Sequence, residues 1–315
     1  MAQQSEYAVQ ELAADLARLR IGFVNVYLAG RRQQAATPWA LVDAGLAIGA
    51  AQILDVAAER FGVERRPAAI VLTHGHFDHV GALEPLLAVW DVPVYAHTAE
   101  LPFLTGQADY PTPDTTVGGL DPRLSPLRPE RGIDLGDRAR PLPPDGGVPG
   151  MPGWRWVHTP GHTPGHVSLF RSADRVMIAG DAVCATPGES AYAAVTPRQE
   201  LSGPPACFTI DWDDAGRSVA AIASLEPLLL AAGHGEPIDG PSLPDDLAVL
   251  AHDFDLRARP TRGRYVNRPA MADDGVSSAS PSRSRRVRWG ALSGVAAAGF
   301  AGTWLYRRFG RRGGT

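Results

Sequence analysis

The chain has 315 residues, enough for one large α/β domain with a tail, and 44% of them are hydrophobic, which suits a protein with a buried core. It contains two cysteines, Cys184 and Cys207, and no lysine, which excludes a disulfide framework, a CxxC motif and lysine-dependent chemistry. The net charge is -4 although residues 275–315 hold eight arginines and no acid, so the preceding part is more acidic and argues against nucleic-acid binding.

Residues 21–96 predict strands and helices in alternation. Alternating apolar and polar residues, or short apolar runs, predict strands, whereas an apolar period near 3.6 residues predicts a helix. On these patterns we expect strands at 21–28, 39–45, 68–72 and 92–96, and helices at 48–61 and 80–90.

The chain after residue 96 contains two regions of different composition. Residues 101–153 are dense in proline and glycine and predict a long loop or lid, with one short strand near 132–135. The regular pattern then returns, so strand–helix alternation occurs in both halves of the chain. In the second half we expect strands at 154–158, 167–171, 175–179 and 227–232, and helices at 213–225 and 243–259.

Four side chains that suit a metal lie in the loop between the predicted strand 68–72 and the predicted helix 80–90. They are His74, His76, Asp78 and His79. Imidazole and carboxylate groups suit zinc and similar divalent metals. Because a strand-to-helix loop is positioned by rigid elements on both sides, these groups can converge on one point.

Three further candidates lie at the ends of predicted strands in the second half. They are His162, Asp181 and His234. Each has a glycine next to it in sequence, which lets the backbone approach a metal closely. Asp43, at the end of the predicted strand 39–45, precedes them all, and His166 follows His162 closely enough to support the site or to line its pocket.

This ordered series resembles the metallo-β-lactamase fold superfamily, from about residue 22 to residue 252. The resemblance implies a four-layer αβ/βα sandwich with a two-metal centre at one edge. It implies that one metal is held by His74, His76 and His162. It implies that the second is held by Asp78, His79 and His234. It further implies that Asp181 bridges the two metals and that Asp43 supports the site from behind.

The resemblance also implies hydrolysis by a metal-bridging hydroxide. Two metals acidify a shared water and polarise the substrate, and Asp78 can receive the water proton. Aspartate at position 181 is similar to the glyoxalase II and lactonase members, so we expect a small ester, thioester or lactone as substrate. Residues 181–211 resemble a group of stand-alone bacterial members. We expect two zinc ions, with manganese and iron as alternatives because the same ligands bind all three.

Two other functions stay open at this point. Relatives of this fold include mononuclear iron enzymes that oxygenate a persulfide. The domain could also be a non-catalytic, metal-stabilised module displayed at a membrane by the tail. Metal content and turnover separate these alternatives from a binuclear hydrolase.

The C-terminal region predicts a separate segment. We expect a catalytic domain at 1–272, a serine- and arginine-rich linker at 273–288, a membrane helix at 289–306 and a basic tail at 307–315. Residues 289–306 carry no charge and as a helix would span roughly 27 Å, near the ~30 Å of a bilayer core. A helix lying on an anionic surface and a disordered tail are the alternatives.

The expected location is cytoplasmic, with the domain anchored by the C-terminal helix. Residues 1–19 contain acidic residues and no continuous apolar core, which does not fit a secretory signal. Arginines flank residues 289–306 on both sides, so charge does not decide the orientation of the helix. The sequence gives no indication of the oligomeric state.

Overall fold

The strands of the protein form two sheets in the computed structural model, which describes residues 7–34, 36–117, 132–186 and 200–270. The first sheet has seven strands and the second has five, and in each sheet neighbouring strands follow the order of the sequence. The first contains β1 (Val9–Ala13), β2 (Leu16–Ile21), β3 (Val24–Ala29), β4 (Ala40–Val42), β5 (Ala69–Val71), β6 (Val94–Ala96) and β7 (Ala139–Pro141). The second contains β8 (Arg155–His158), β9 (Val167–Arg171), β10 (Val176–Gly180), β11 (Leu229–Ala232) and β12 (Ile238–Asp239).

Helices connect the strands and cover the sheets. They are α1 (Ala50–Phe61), α2 (Phe77–Val80), α3 (Leu83–Trp90), α4 (Leu101–Leu104), α5 (Trp212–Ser224), α6 (Leu243–His252) and α7 (Phe254–Arg257). Short 3-10 helices lie at Ala47–Gly49, Thr98–Glu100, Gly136–Arg138 and Ala206–Phe208. Sequence explains the start of α5, where the Asp211 side chain accepts the Asp214 N–H and two acidic residues fill the first turn.

Alternate residues of the strands divide the interior into three apolar clusters. Strand β3 shows this, because Val26 and Leu28 pack with α1 and α3 while Tyr27 lies in the cluster between the two sheets. Helices α5 and α6 pack on the outer face of the second sheet. The order of layers is therefore helix, sheet, sheet, helix, as expected from the sequence.

Parallel pairing determines where the candidate residues meet. Strand β4 runs parallel to β5, and in the other sheet β10 runs parallel to β11. The carboxyl ends of parallel strands lie at one edge of a sheet. Asp43 follows β4 and Asp181 follows β10, while the histidine loop and His234 follow β5 and β11. One edge of the sandwich thus collects residues from both halves of the chain.

Several predicted elements differ from the structure in their bounds. The predicted strand 21–28 is a hairpin of β2 and β3 that turns at Gly22, whose φ is 64°. The predicted helix 243–259 is divided into α6 and α7, and the predicted helix 80–90 begins only at Leu83, after the separate short helix α2. The strand expected near 132–135 is wrong, because there Asp134 makes only an isolated bridge to Thr105, and the strand of this segment is β7.

The last described residues pack back onto two loops of the domain. Asp114 is 1% exposed and accepts the backbone N–H groups of Arg264 and Tyr265. The Tyr265 hydroxyl donates to the carbonyl of Thr112, at 2.9 Å. Further along, the N–H of residue 270 donates to the carbonyl of residue 210 at 2.8 Å. Residues 264–270, which we call the C-terminal strap, thereby tie two loops together.

The predicted linker 273–288, membrane helix 289–306 and basic tail 307–315 lie outside the described residues. In the part of the chain that the structure describes, no helix has the length and apolar character needed to cross a bilayer.

Candidate metal centre

All seven predicted metal ligands come together at the edge of the sandwich, around the carboxylate of Asp181. Its Oδ2 lies 3.1 Å from Nε2 of His234, 3.6 Å from Nε2 of His162 and 4.0 Å from Nε2 of His74. Its Oδ1 lies 3.5 Å from Nε2 of His79. Asp181 is 2% exposed. One buried carboxylate therefore faces four imidazoles from both sheets.

The remaining ligands divide into two groups on either side of Asp181. In each group the potential ligand atoms lie within 4.8 Å of one another. The first triad consists of His74, His76 and His162, and the second triad consists of Asp78, His79 and His234. A third grouping, of His74, His79 and Asp181, joins the two triads. This division matches the assignment implied by the family resemblance.

Hydrogen bonds fix the outer nitrogen of each histidine that faces Asp181. His79 Nδ1 donates to Asp43 Oδ2 at 2.8 Å, and His234 Nδ1 donates to the carbonyl of Phe23 at 3.0 Å. The Nδ1 atoms of His74 and His162 lie 3.0 Å and 3.5 Å from threonine hydroxyls. Such partners hold an imidazole so that its other nitrogen can bind a metal.

Asp43 organises the loop of the first sheet from an unusual backbone conformation. Its φ is 59°, in the left-handed region that non-glycine residues seldom adopt, and aspartate tolerates that region better than most. Its carboxylate accepts the N–H and the hydroxyl of Thr73 at 2.8 and 2.9 Å, and also Nδ1 of His79. Asp43 thus has the supporting role that the sequence predicts.

Glycine is required beside several of these residues. A Cβ on Gly233 would lie 2.0 Å from Asp181 Oδ1, and a Cβ on Gly161 would lie 2.3 Å from the backbone nitrogen of Ala215. A side chain at either position would displace the loop that carries His234 or His162. The glycines noted in the sequence are therefore part of the site.

The protonation of the cluster suits a divalent cation. Burial, followed by the neighbouring imidazoles, holds the pKa of His74 and of His162 well below the ordinary value. Burial opposes charge on His79 and on Asp181 as well. Carboxylates, Asp181 first, nevertheless raise the pKa of His79, and the imidazoles of His234 and His79 lower the pKa of Asp181. His74 and His162 are thereby neutral, as metal ligands must be, whereas His79 holds a proton beside the ionised Asp181 and would release it when a cation binds.

Buried atoms without partners point to the same conclusion. Among the described residues, Nε2 of His74, Nε2 of His79 and Oδ1 of Asp181 are buried with no hydrogen-bond partner. Buried polar atoms are normally satisfied. Because these three face a common centre, a bound cation accounts for them, and the residues present fit a metal.

His166 supports the site without belonging to either triad. Its Nε2 accepts the backbone N–H of Asp181 at 2.9 Å, while its Nδ1 donates to Thr159. Burial lowers the pKa of His166 to about 3, so the ring is neutral and can accept that N–H. It therefore joins the turn that bears His162 to the strand end that bears Asp181.

A pocket opens beside the first triad. It is lined by His76 together with Tyr110, Thr112, Phe208 and Ile210. The rings of Tyr110 and Phe208 lie 4.7 Å and 5.3 Å from the ring of His76. The pocket walls come from the proline-rich segment after residue 101, as the sequence suggests, and from residues 207–210, which sequence reasoning did not select.

Sequence reasoning also missed the buried groups that hold these loops. Glu100 and Asn25 are fully buried and hydrogen-bonded to the backbone of site loops. Neither belongs to a recognisable motif. A signal was available only in the position of each, since Asn25 is the second residue of β3 and Glu100 follows β6 by four residues.

Comparison with known proteins gives a consistent result. The family model for the Metallo-beta-lactamase superfamily matches residues 19–234. The chain is 45% identical over 244 residues to the probable metallo-hydrolase YflN of Bacillus subtilis, covering 77% of this chain and 92% of that protein. It is 29% identical over 195 residues to the probable metallo-hydrolase YybB of the same organism, covering 59% and 76%.

Among solved structures the fold is similar to that of BJP-1, a subclass B3 metallo-beta-lactamase of Bradyrhizobium japonicum. The TM-score is 0.52 with 20% sequence identity, and the match covers 81% of this chain and 96% of that one. At this identity the likeness concerns the fold alone.

Proposed function

The chain belongs to the metallo-beta-lactamase superfamily, and we propose on that premise that it hydrolyses a small ester, thioester or lactone with two metal ions. That it is a metal-dependent hydrolase follows from the family match and from its identity to a probable metallo-hydrolase along most of both chains. The number of metals, their identity and the acyl substrate are the parts that we propose.

The arrangement around Asp181 carries the proposal. Its two oxygens face imidazoles of both triads at 3.1 to 4.0 Å, which is what a carboxylate shared by two metals requires. The first triad would hold one metal and the second triad the other. Bound as a pair, two divalent ions would acidify a water and polarise the carbonyl oxygen of a substrate.

The protein residues have separate tasks in such a reaction. Asp78 is 5% exposed, and its Oδ2 lies 3.5 Å from Nε2 of His234, so its carboxylate would be available within the site to accept a proton from the attacking water. Asp43 keeps His79 oriented through the 2.8 Å hydrogen bond. No serine, cysteine or lysine nucleophile is needed.

The pocket favours a small acyl compound. Aromatic and aliphatic side chains of Tyr110, Phe208 and Ile210 lie next to His76. An uncharged acyl group fits such walls better than a phosphodiester does, because charge is poorly solvated beside apolar side chains. We therefore propose an ester, thioester or lactone as the substrate class.

Zinc is the metal we propose. Histidine nitrogen and carboxylate oxygen are ordinary zinc ligands, and three protein ligands in each triad would leave positions for water and substrate. Manganese and iron accept the same ligands, so the identity has to be measured.

Elemental analysis combined with a panel of esters, thioesters and lactones tests the proposal. We expect two zinc ions per chain, turnover that a chelator abolishes, and loss of turnover in Asp78→Ala. Asp137→Ala is a matched control, since Asp137 is an exposed aspartate in the 3-10 helix before β7 and should leave turnover unchanged.

Three results would contradict the proposal. Undiminished turnover in the presence of the chelator would overturn metal dependence. One iron per chain with oxygenation of a persulfide would indicate the mononuclear alternative. Full metal occupancy with no turnover of any acyl or phosphate ester would indicate the non-catalytic module.

We also propose that residues 289–306 attach this domain to a membrane, on the basis of their uncharged sequence and arginine flanks. Deleting residues 276–315 should move the protein from the membrane fraction to the supernatant and leave its turnover unchanged. Identical fractionation of the full and shortened chains would contradict the attachment.

A further inference from the structure

Glu100 is a buried carboxylate with an unusual set of partners. It ends the 3-10 helix Thr98–Glu100 and is 0% exposed. Its Oε2 accepts the N–H of Gly75 at 3.1 Å and the hydroxyl of Tyr110, and its Oε1 accepts the N–H of Gly165 at 2.8 Å. One side chain therefore binds two backbone segments that are ninety residues apart in the chain.

Both segments carry residues of the first triad. Gly75 lies between His74 and His76, and Gly165 lies in the turn that bears His162. A hydrogen bond to the N–H of Gly75 fixes the peptide that joins the two histidines of the loop. The bond to Gly165 fixes the second-sheet turn against the same carboxylate, so the relative position of all three histidines depends on Glu100.

The segments that contain Gly75 and Gly165 pack closely against Glu100 and Tyr110. A Cβ on Gly75 would lie 2.4 Å from the Tyr110 hydroxyl, and a Cβ on Gly165 would lie 2.6 Å from the backbone nitrogen of Glu100. The Tyr110 ring in turn packs against the ring of His76 at 4.7 Å. The glutamate, the tyrosine and the two glycines form one contact unit beneath the first triad.

The second triad is held by different groups. His79 is oriented by Asp43, and His234 is oriented by the carbonyl of Phe23. None of the hydrogen bonds that Glu100 makes to described residues involves a residue of the second triad or its two anchors. Glu100 therefore supports the first triad and not the second, although Thr73 links Asp43 to His74.

We propose that Glu100 is a positioning residue for the first triad alone, so that its removal weakens one metal site and spares the other. This inference rests on the proposed two-metal function. Glutamate suits the task because its two oxygens accept from two loops at once. Glutamine has one carbonyl oxygen and would satisfy one of the two N–H groups only.

Stepwise metal titration against a competing chelator tests this proposal directly, with zinc as the probe. His162→Ala and His234→Ala assign the two binding steps, because each removes a ligand from one triad. In Glu100→Ala we expect the first-triad step to weaken by about 10- to 100-fold, the usual effect of losing a group that orients metal ligands. Glu100→Gln should weaken the same step by less, and the second-triad step should stay within about twofold in both variants.

Asp114→Asn is the matched control. Asp114 is another buried carboxylate that accepts backbone N–H groups, those of Thr116, Arg264 and Tyr265, but it ties the C-terminal strap and not a metal loop. Its substitution should lower the melting temperature while leaving both metal affinities unchanged. A loss of metal affinity that merely followed general destabilisation would occur in this variant too.

The outcomes separate the inference from the function on which it rests. Equal weakening of both steps in the Glu100 variants, or unchanged affinity at the first-triad step, would overturn the positioning role. Equal weakening in Asp114→Asn would overturn it as well. If Glu100→Ala does not fold, Glu100→Gln decides by the same criteria. Wild-type protein that binds only one metal would instead contradict the proposed two-metal function.

Discussion

The two sides of the metal centre are built in different ways. The first sheet supplies four candidate ligands from one loop of six residues, and Asp43 lies only thirty residues before Thr73, its partner in that loop. The second sheet supplies His162, Asp181 and His234 from three separate loops, and His234 is held by the carbonyl of Phe23 from the other sheet. The first side is thus determined mostly by local sequence. The second depends on the assembled fold, so the two sides should fail differently when their supports are removed.

Replacing Asp181, which faces imidazoles from both sheets, should have the largest effect on metal binding and turnover. Asp181→Asn keeps the shape of the side chain and removes the charge that faces four imidazoles. We expect both metals to bind more weakly and turnover to fall at least about 100-fold. Metal polarisation is worth several kcal/mol, and each 1.4 kcal/mol corresponds to about a factor of ten. Elemental analysis and initial rates measure this. Retention of both metals at full occupancy would show that Asp181 is not shared.

Breaking the support of the first side should have a smaller effect. Asp43→Asn removes the charge that orients His79, while asparagine still tolerates a φ of 59°. We expect metal affinity to fall about 10- to 100-fold, because an amide cannot accept from all three donors that the carboxylate does. Asp43→Ala should bind metal as weakly and also lose about 1 kcal/mol of stability, because alanine is strained in the left-handed region. Equal melting temperatures for the two variants would contradict this account.

Breaking the support of the second side should lower the stability of the fold more than it lowers metal affinity. The Asn25 side chain donates to the carbonyls of Ala232 and Gly235, on either side of His234, at 3.0 and 2.8 Å. Asn25→Ala removes two buried hydrogen bonds, one from each carbonyl, so we expect a loss of about 2 kcal/mol and a melting temperature lower by roughly 4–8 °C. Tyr27→Phe removes one donor to Ala232 and should cost about 1 kcal/mol. A smaller loss in Asn25→Ala than in Tyr27→Phe would refute this order.

The smallest expected effect is on the pH dependence of stability, and it concerns the contact between His97 and His158, which joins the two sheets. The rings of His97, after β6, and His158, in β8, stack with centroids 4.1 Å apart. Burial and the nearby His158 lower the pKa of His97 to about 4. The unfolded chain therefore takes up a proton at a higher pH than the folded chain, and stability contributed by neutral His97 is lost as pH falls from about 6.5 to 4.

His97→Asn tests the contribution of His97 to this pH dependence. Asparagine can still accept the Ala99 N–H that His97 Nδ1 accepts, but it takes up no proton. We expect the free energy of unfolding to depend less steeply on pH between about 6.5 and 4 than in the wild type. His252→Asn changes an exposed histidine and should leave the slope unchanged. Parallel curves for His97→Asn and the wild type would contradict the prediction.

The same difference between the two sides explains how much could be predicted from sequence. The loop with His74 and His79 is visible because its ligands lie close together in the chain, and the strand that precedes it is a plain apolar run. Glu100 and Asn25 are invisible because nothing local distinguishes a buried carboxylate or amide from an exposed one. Their roles arise only when distant loops meet.

Strand β2 of the first sheet was not predicted from the sequence, because it contains a charged residue. Strand β2 contains Arg18, which reads as a break in an apolar pattern, yet Arg18 is 7% exposed. It is buried because it pairs with Glu236 at 2.7 Å and donates to the carbonyl of Gly235 at 3.1 Å. Since Gly235 follows His234, the residue that hid the strand is also one that supports the second side of the site.

The C-terminal strap gives the domain a mechanical property. The chain leaves the described domain at residue 270, where its N–H bonds residue 210 of the pocket wall, and Tyr265 bonds Thr112 of the opposite wall. A pull on that end would load these bonds before it reached either sheet, and so would strain the pocket while the core stayed intact.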